Sequence, residues 1–203
     1  MIEHGIATKV TELLDNAGID YVLYDGIVPN PTIQNVKDGV AFVKEAEADC
    51  LIAIGGGSPI DTAKAIGIIL TNPEFSDVIS LEGVADTKNP CLPILAVPTT
   101  SGTAAEVTIN YVITDEANHR KFVCVDPHDI PIVAFIDSDM MMGMPKKLAA
   151  STGMDAMTHA IEGLITKGAW EMTDMLHLKA IEIIGHSLEA SVEGDQNGQK
   201  KWH

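Results

Sequence analysis

The sequence predicts an α/β protein: a mostly parallel, doubly wound sheet followed by the first helices of an all-α layer or domain. Three observations predict it. Through roughly the first 140 residues, short apolar runs alternate with stretches of helical spacing, the pattern of strand–helix units. The central run, residues 51–54, opens directly onto Gly55-Gly56-Gly57 and a helix start. From Pro145 onward only helical spacing remains.

Taken in order, Ile6, Val10, Leu13, Leu14 and Ala17 share one helix face, and Gly18 is placed to cap it. Residues 19–24 are strand-like, Asp25-Gly26 turns the chain, and Pro29-Asn30-Pro31 stiffens the approach to the next helix. Thr32 caps that second helix, which turns Ile33, Val36, Val40, Val43 and Ala46 inward. Residues 51–54 are a branched apolar run suited to a strand covered on both faces. Ser58 is expected as the next N-cap, with Pro59 at the first helical position and Asp61 in the first turn. Asn72-Pro73 ends that helix, and residues 74–90 read as a polar surface excursion. Residues 94–97 form another buried strand. A loop of small polar residues and a strand fill 98–113, residues 115–120 turn a hairpin, and 122–125 pair back. Residues 131–136 are the last strand. Helices are expected over 145–150, 152–165 and 170–191.

Composition narrows the function classes. A chain of 203 residues with 46% hydrophobic content holds one domain, or one and a fraction, with a sizeable core. It contains no apolar run of the roughly 18 residues a membrane span needs and opens without a basic signal-peptide region. Cys50, Cys91 and Cys124 are widely spaced, which points to reduced thiols in a cytoplasmic protein rather than a disulfide or zinc framework. A net charge of −16 disfavours nucleic acid and anionic membrane as partners. An anionic ligand must therefore be held by local dipoles and a few placed cations.

The glycine turn is the strongest candidate for such a ligand. A helix N-terminus presents free N–H groups and about half a positive charge, which suits phosphate. Its spacing is neither G-x-G-x-x-G nor a P-loop, and a plain tight turn is the alternative. Pro98-Thr99-Thr100-Ser101-Gly102-Thr103 follows a buried strand, where open α/β sheets bind ligands, or is an ordinary hydroxyl-rich turn. Lys121 is either a surface lysine or a ribose or phosphate contact, and Asn30 either a turn residue or a base contact. Asp155 and His159, four apart on a helix, could share a metal or simply a hydrogen bond. His177 and His186 lie on opposite sides of the next helix, so at most one faces that pair. His4, His119, His128 and His203 are expected to be solvated, and Met140-Met141-Met142-Gly143-Met144 to fill core or interface. No serine-hydrolase triad or elbow is present.

Three motifs occur in order and at matching spacing. They are Gly55-Gly56-Gly57-Ser58-x-x-Asp61-x-Ala63-Lys64, Pro98-Thr99-Thr100-x-Gly102-Thr103-x-x-Glu106-Val107-Thr108 and Asp155-Ala156-x-x-His159-Ala160-x-Glu162. Together they resemble the iron-dependent (group III) alcohol dehydrogenases over nearly all of residues 1–192. The resemblance implies a Rossmann-like NAD-binding domain over 1–144, lacking its first strand, and the start of a helical metal-binding domain over 145–203. It assigns Gly57 and Ser58 to the pyrophosphate, and Gly56 and Asp61 beside them to cofactor binding. Asn30, Thr99, Thr100, Thr108, Asn110 and Lys121 would line the rest of the NAD cleft. Asp155 and His159 would be two of four Fe(II) ligands, the other two being histidines beyond His203. The implied reaction is hydride transfer between NAD(H) and a small aldehyde or alcohol such as lactaldehyde or 1,2-propanediol. Cofactor and metal would carry most of the chemistry, and no acid–base residue is assigned. The resemblance also implies a homodimer of the full-length protein, and that this chain is a piece of it with little or no activity alone. The rival readings are a relative of dehydroquinate synthase or glycerol-1-phosphate dehydrogenase, and a non-catalytic nucleotide-binding module.

Overall fold

A computed structural model describes residues 5–194. It has two compact units: one comprises residues up to 98 together with 105–135, the other 99–104 together with the chain from 136 onward.

The first unit opens on helix α1 (Ile6–Ala17), which ends on Gly18 in the left-handed conformation, its N–H reaching back to the carbonyls of Asp15 and Leu14. Residues 19–24 differ from the strand the sequence predicts. Ile19, Tyr21, Val22 and Leu23 are exposed, and no strand among the described residues pairs with them. Without a ladder, strand-like composition alone does not hold a strand. Helix α2 (Ile33–Glu45) starts where Thr32 accepts the Asn35 N–H and buries Val36, Gly39 and Val43.

Strand β1 (Leu51–Gly55) then leads into helix α3 (Gly57–Thr71). The N-cap is Gly56, so Ser58 lies inside the first turn rather than capping it. Gly55 turns the chain at once with φ +148°, and a Cβ there would strike the Pro59 ring. Nine residues of α3, from Ile60 to Ile69, are buried, which makes it a core helix covered on all sides. Residues 74–90 are no surface excursion. They include the two-residue strand β2 (Gly83–Val84), and Val78 and Leu81 are buried. The Asn72 carboxamide pins this segment, accepting the Lys88 and Asn89 N–H groups and donating to the Asn89 carbonyl.

Strand β3 (Ile94–Pro98) lies between β1 and the short β6 (Val133–Ala134) in a parallel sheet. The register sets Gly55 beside Pro98, so the glycine turn and the chain after Pro98 leave the same end of the sheet. A second sheet has the order β2, β5 (Arg120–Val125), β4 (Asn110–Asp115). Its β4 and β5 form the expected antiparallel hairpin. α3 serves both sheets. Ile60 and Ala63 pack with Ala53, Ile94 and Ala96, while Ile66, Ile68 and Ile69 pack with Tyr111, Ile113 and Phe122. His128 is exposed, as expected, with its Nδ1 2.9 Å from the Thr87 hydroxyl and 3.2 Å from the Asp126 carboxylate. His4 and His203 lie outside the described residues. Cys50, Cys91 and Cys124 are free thiols.

The second unit contains a short helix α4 (Ser138–Met141), started by the Asp137 carboxylate, and two long helices, α5 (Lys146–Ile165) and α6 (Glu171–Glu193). The break expected near Ser151 does not occur. The helix runs unbroken through Thr152, whose hydroxyl is satisfied by the Leu148 carbonyl at 3.0 Å rather than breaking the turn. Met140 and Met141 are buried, as core filler should be. Ala149 and Ile184 centre the seam between the long helices, with Met157 and Leu188 beside them. No helix among the described residues is long and apolar enough to cross a membrane.

The packing of α3 yields a stability prediction. Ile68 has 0% exposure at the contact of α3 with the second sheet. Ile68→Ala should cost roughly 2–5 kcal/mol, read from the urea midpoint at unchanged m-value. A loss well under 1 kcal/mol would show that this face of α3 does not hold the unit together.

Candidate functional site

In the first unit, the N-terminus of α3 is the natural anchor. Gly56, as N-cap, has no side chain to occupy the first-turn N–H groups, so Gly57 and Ser58 offer them toward a ligand. Asn30 approaches this turn from the loop before α2. It sits in the left-handed region at φ 57°, a conformation asparagine tolerates better than most residues. Its N–H donates to the Ser58 hydroxyl at 3.3 Å. Its side-chain oxygen accepts from Lys121 Nζ at 2.8 Å. Asn30 is thus a turn residue whose side chain is also engaged, and Lys121 is held beside the anchor rather than left loose on the surface.

The rest of the cluster hangs on the outer edge of β4. β5 occupies one edge of that strand; the other faces α3 and the Asn30 loop. At its foot, Lys64 Nζ donates to the Thr108 carbonyl at 2.5 Å and to the Asn110 carbonyl at 3.0 Å. Midway, the Asp61 carboxylate accepts the Val112 N–H at 3.0 Å. At the top, Thr114 donates its N–H to the Pro31 carbonyl at 2.7 Å and its hydroxyl to the Asn30 carbonyl at 3.2 Å. So Asp61, expected among the cofactor-binding residues, has β4 as its hydrogen-bond partner. Ser58, Asn30, Lys121, Asp61, Thr108 and Asn110 are brought into one connected network. Thr99 and Thr100 follow β3 in the chain but belong to the second unit.

The residue that sequence reasoning passed over is Lys64. Its side chain is fully buried, and the nearest acid is the equally buried Asp129 at 3.8 Å. Neither Asp129 oxygen accepts a hydrogen bond among the described residues. The signal was available. Lys64 is the sole charged residue between Asp61 and Glu74, inside a helix that is otherwise apolar or small, and a lone cation on such a helix must find buried partners.

Burial governs the titration of this group of charges. It raises Asp129 to about 8 and Asp61 to about 6, and pushes Lys64 below its ordinary 10.5.

In the second unit, Asp155 and His159 occupy one face of α5, with Asp155 Oδ1 and His159 Nε2 3.8 Å apart and both side chains about half exposed. Gly102 packs against the Thr152 turn, one turn earlier on that helix, where a Cβ would meet the Thr152 carbonyl oxygen at 2.8 Å. One turn beyond His159, Gly163 accommodates the His177 ring, which a Cβ would strike. His186 is exposed. A carboxylate and an imidazole side by side suit a divalent first-row metal. No third His, Cys, Asp or Glu among the described residues groups with them, so they fit the role of two ligands of a larger set.

Known proteins give this geometry a context. Residues 1–138 match the family model of iron-containing alcohol dehydrogenases, and residues 149–201 match the C-terminal model of the same family. The chain is 64% identical over 197 residues to the lactaldehyde reductase of Escherichia coli K12, covering 97% of this chain and 52% of that protein. Among solved structures, a 1,3-propanediol oxidoreductase superposes with a TM-score of 0.91 at 40% identity, over 97% of this chain and 51% of the other. The sulfoacetaldehyde reductase of Bifidobacterium kashiwanohense, solved in complex with NAD+, superposes with a TM-score of 0.87 at 30% identity, over 99% of this chain and 53% of the other. The chain spans about half the length of the curated relatives it matches.

The buried acids predict a pH dependence. An acid whose folded pKa lies above its unfolded value of 3.8 keeps a proton that the unfolded chain has released. Stability therefore falls as pH rises between the two values, by up to about 1.4 kcal/mol per pH unit for one such group. For Asp129 that window runs from about 4 to about 8. Lys64, shifted down, works in the opposite sense below 10.5. Asp129→Asn removes the acid's share and lets Lys64 fall further, both acting in one direction, so its urea midpoint should decline less between pH 5 and 8 than that of the parent chain. An unchanged or steeper decline would mean that Asp129 is ionised throughout.

Proposed function

The chain belongs to the iron-containing alcohol dehydrogenase family, and from that premise we propose that its protein transfers a hydride between NAD(H) and a small aldehyde or alcohol, lactaldehyde and 1,2-propanediol being the preferred pair. The structural observation that carries the cofactor half is the connected network at the start of α3. A helix N-terminus capped by Gly56 stands beside Ser58, Asn30 and Lys121. The likeness to lactaldehyde reductase over 97% of the chain supports the substrate half.

The proposed roles rest on the chemistry of each group. Gly57 and Ser58 present first-turn N–H groups to the pyrophosphate, and the helix dipole favours its negative charge. Lys121 adds one placed cation to a chain of net charge −16, and its bond to Asn30 keeps the ammonium from sweeping the solvent. Asn110, whose side chain is exposed at the start of β4, and Thr108 line the cleft beyond. Thr99 and Thr100 supply further hydroxyls. Asp155 and His159 would hold a ferrous ion, whose Lewis acidity polarises the substrate carbonyl while NADH supplies the hydride. The protein's part is to bind and orient these groups.

Two protein ligands do not define an open metal site. The 203-residue chain by itself is therefore expected to reduce lactaldehyde with NADH and anaerobic Fe(II) only at trace rates. A version continued to the length of its relatives should be active. In that longer version His159→Ala should lower the rate by more than the roughly 10–100-fold typical of losing a group that only supports a ligand. No activity with lactaldehyde or any other small aldehyde in the longer version would defeat the proposal. Full activity in the shorter chain would show that the metal site is completed from within it.

A further inference from the structure

Lys64 is costly where it stands. A fully buried ammonium loses its hydration, and replacing a buried ion pair by apolar side chains of similar size is often neutral or stabilising. Stability alone therefore gives little reason to keep Lys64 and Asp129 facing each other at 0% exposure. What the ammonium does, and a methionine could not, is donate hydrogen bonds. It is a compact group with three donors, and it spends them on the carbonyls of Thr108 and Asn110 and, at 3.4 Å, on the Thr108 hydroxyl, with Asp129 at 3.8 Å beyond hydrogen-bond reach.

Those two carbonyls are not arbitrary. Residues 108 and 110 flank the point where the chain enters β4, which the end of β5 holds from the other edge: Asn110 pairs with Val125, and the Ile109 carbonyl accepts the Asp126 N–H. The side chains of Thr108 and Asn110 are the ones assigned to the cofactor cleft. A backbone clamped from beneath by a buried cation keeps both side chains in a fixed relation to α3, whose N-terminus anchors the same ligand.

We propose that Lys64 is a positioning residue of the cofactor cleft, its ammonium clamping the Thr108 and Asn110 carbonyls so that these two residues meet NAD(H) in one fixed geometry. Asp129 is the buried acid beside it, 3.8 Å away, and has no direct part in the cleft. The inference rests on the cofactor reading above.

A pair of variants separates positioning from plain stability. Lys64→Met alone leaves Asp129 as an unpaired buried acid and is expected to be less stable. Lys64→Met with Asp129→Asn removes both charges and should restore the unfolding midpoint to that of the parent chain or above. NADH affinity should not return with it. In the double variant the NADH Kd, followed by cofactor fluorescence, should stay about tenfold or more above the parent value, the equivalent of roughly 1.4 kcal/mol. Amide exchange should accelerate locally over residues 106–112. Recovery of NADH affinity together with stability in the double variant would overturn the positioning role and leave Lys64 a structural residue. Unchanged exchange over 106–112 would overturn the clamp itself. A parent chain that binds no NADH at all would instead overturn the cofactor reading, and the positioning role with it.

Discussion

The first unit depends on how one strand edge is satisfied. β4 is the outer strand of its sheet, and an edge strand presents a row of backbone groups that must find partners or water. Here the partners are side chains and a loop rather than another strand. Lys64 takes the two carbonyls at the foot, Asp61 takes the N–H at Val112, and the Asn30-Pro31 loop takes Thr114 at the top. Alternate residues of the strand are used, as its pleat requires. The result is that α3, β4 and the loop before α2 cannot shift independently. The candidate cofactor residues of this unit lie on those three segments or, like Gly56 and Thr108, within two residues of them, apart from Lys121, which is tied to the loop through Asn30. The same bonds that settle a strand edge therefore also fix the candidate cofactor residues relative to one another.

How legible this was in the sequence depended on the range of the forces. Features decided by local chemistry were readable. Gly18 and Thr32 cap the helices the periodicity predicts, Asn72-Pro73 ends α3, and the charged turn after Asp115 makes the hairpin. Features decided by distant partners were not. Residues 19–24 have the composition of a strand but no ladder to join. Residues 74–90 are polar along the sequence, yet Val78 and Leu81 sink into the core because α2 and β5 leave room for them. Ser58 looks like a cap, but three glycines in a row let the helix start two residues earlier, with Gly56 as its cap.

The site divides along the same line. The glycine turn and the Asp155–His159 pair are visible because each is a short, ordered pattern. The role of Asp61 was not visible, since its partner Val112 lies 51 residues away. Lys64 was hidden for a different reason: the motif around the glycine turn shows it only as one letter. Its burial follows from the all-round apolar character of α3, and a buried lysine then demands acceptors. The acceptors it finds are backbone carbonyls, which no sequence pattern can advertise.

The second unit illustrates a complementary constraint, exerted by absent side chains. Asp155 and His159 share a face of α5 with two glycine contacts. Gly102 lets the 99–104 loop lie against the turn before them, and Gly163 lets His177 lie against the turn after. A Cβ at 102 would meet the Thr152 backbone, and one at 163 would displace the His177 ring. Glycine costs helix stability, about 1 kcal/mol against alanine at an interior position such as 163, so its presence there points to packing rather than propensity. The acidic and imidazole groups are left half exposed between these two tight contacts: their helix is held on both flanks while the ligand atoms stay accessible. That is the arrangement two ligands need if they are to contribute to a metal site whose remaining donors come from elsewhere.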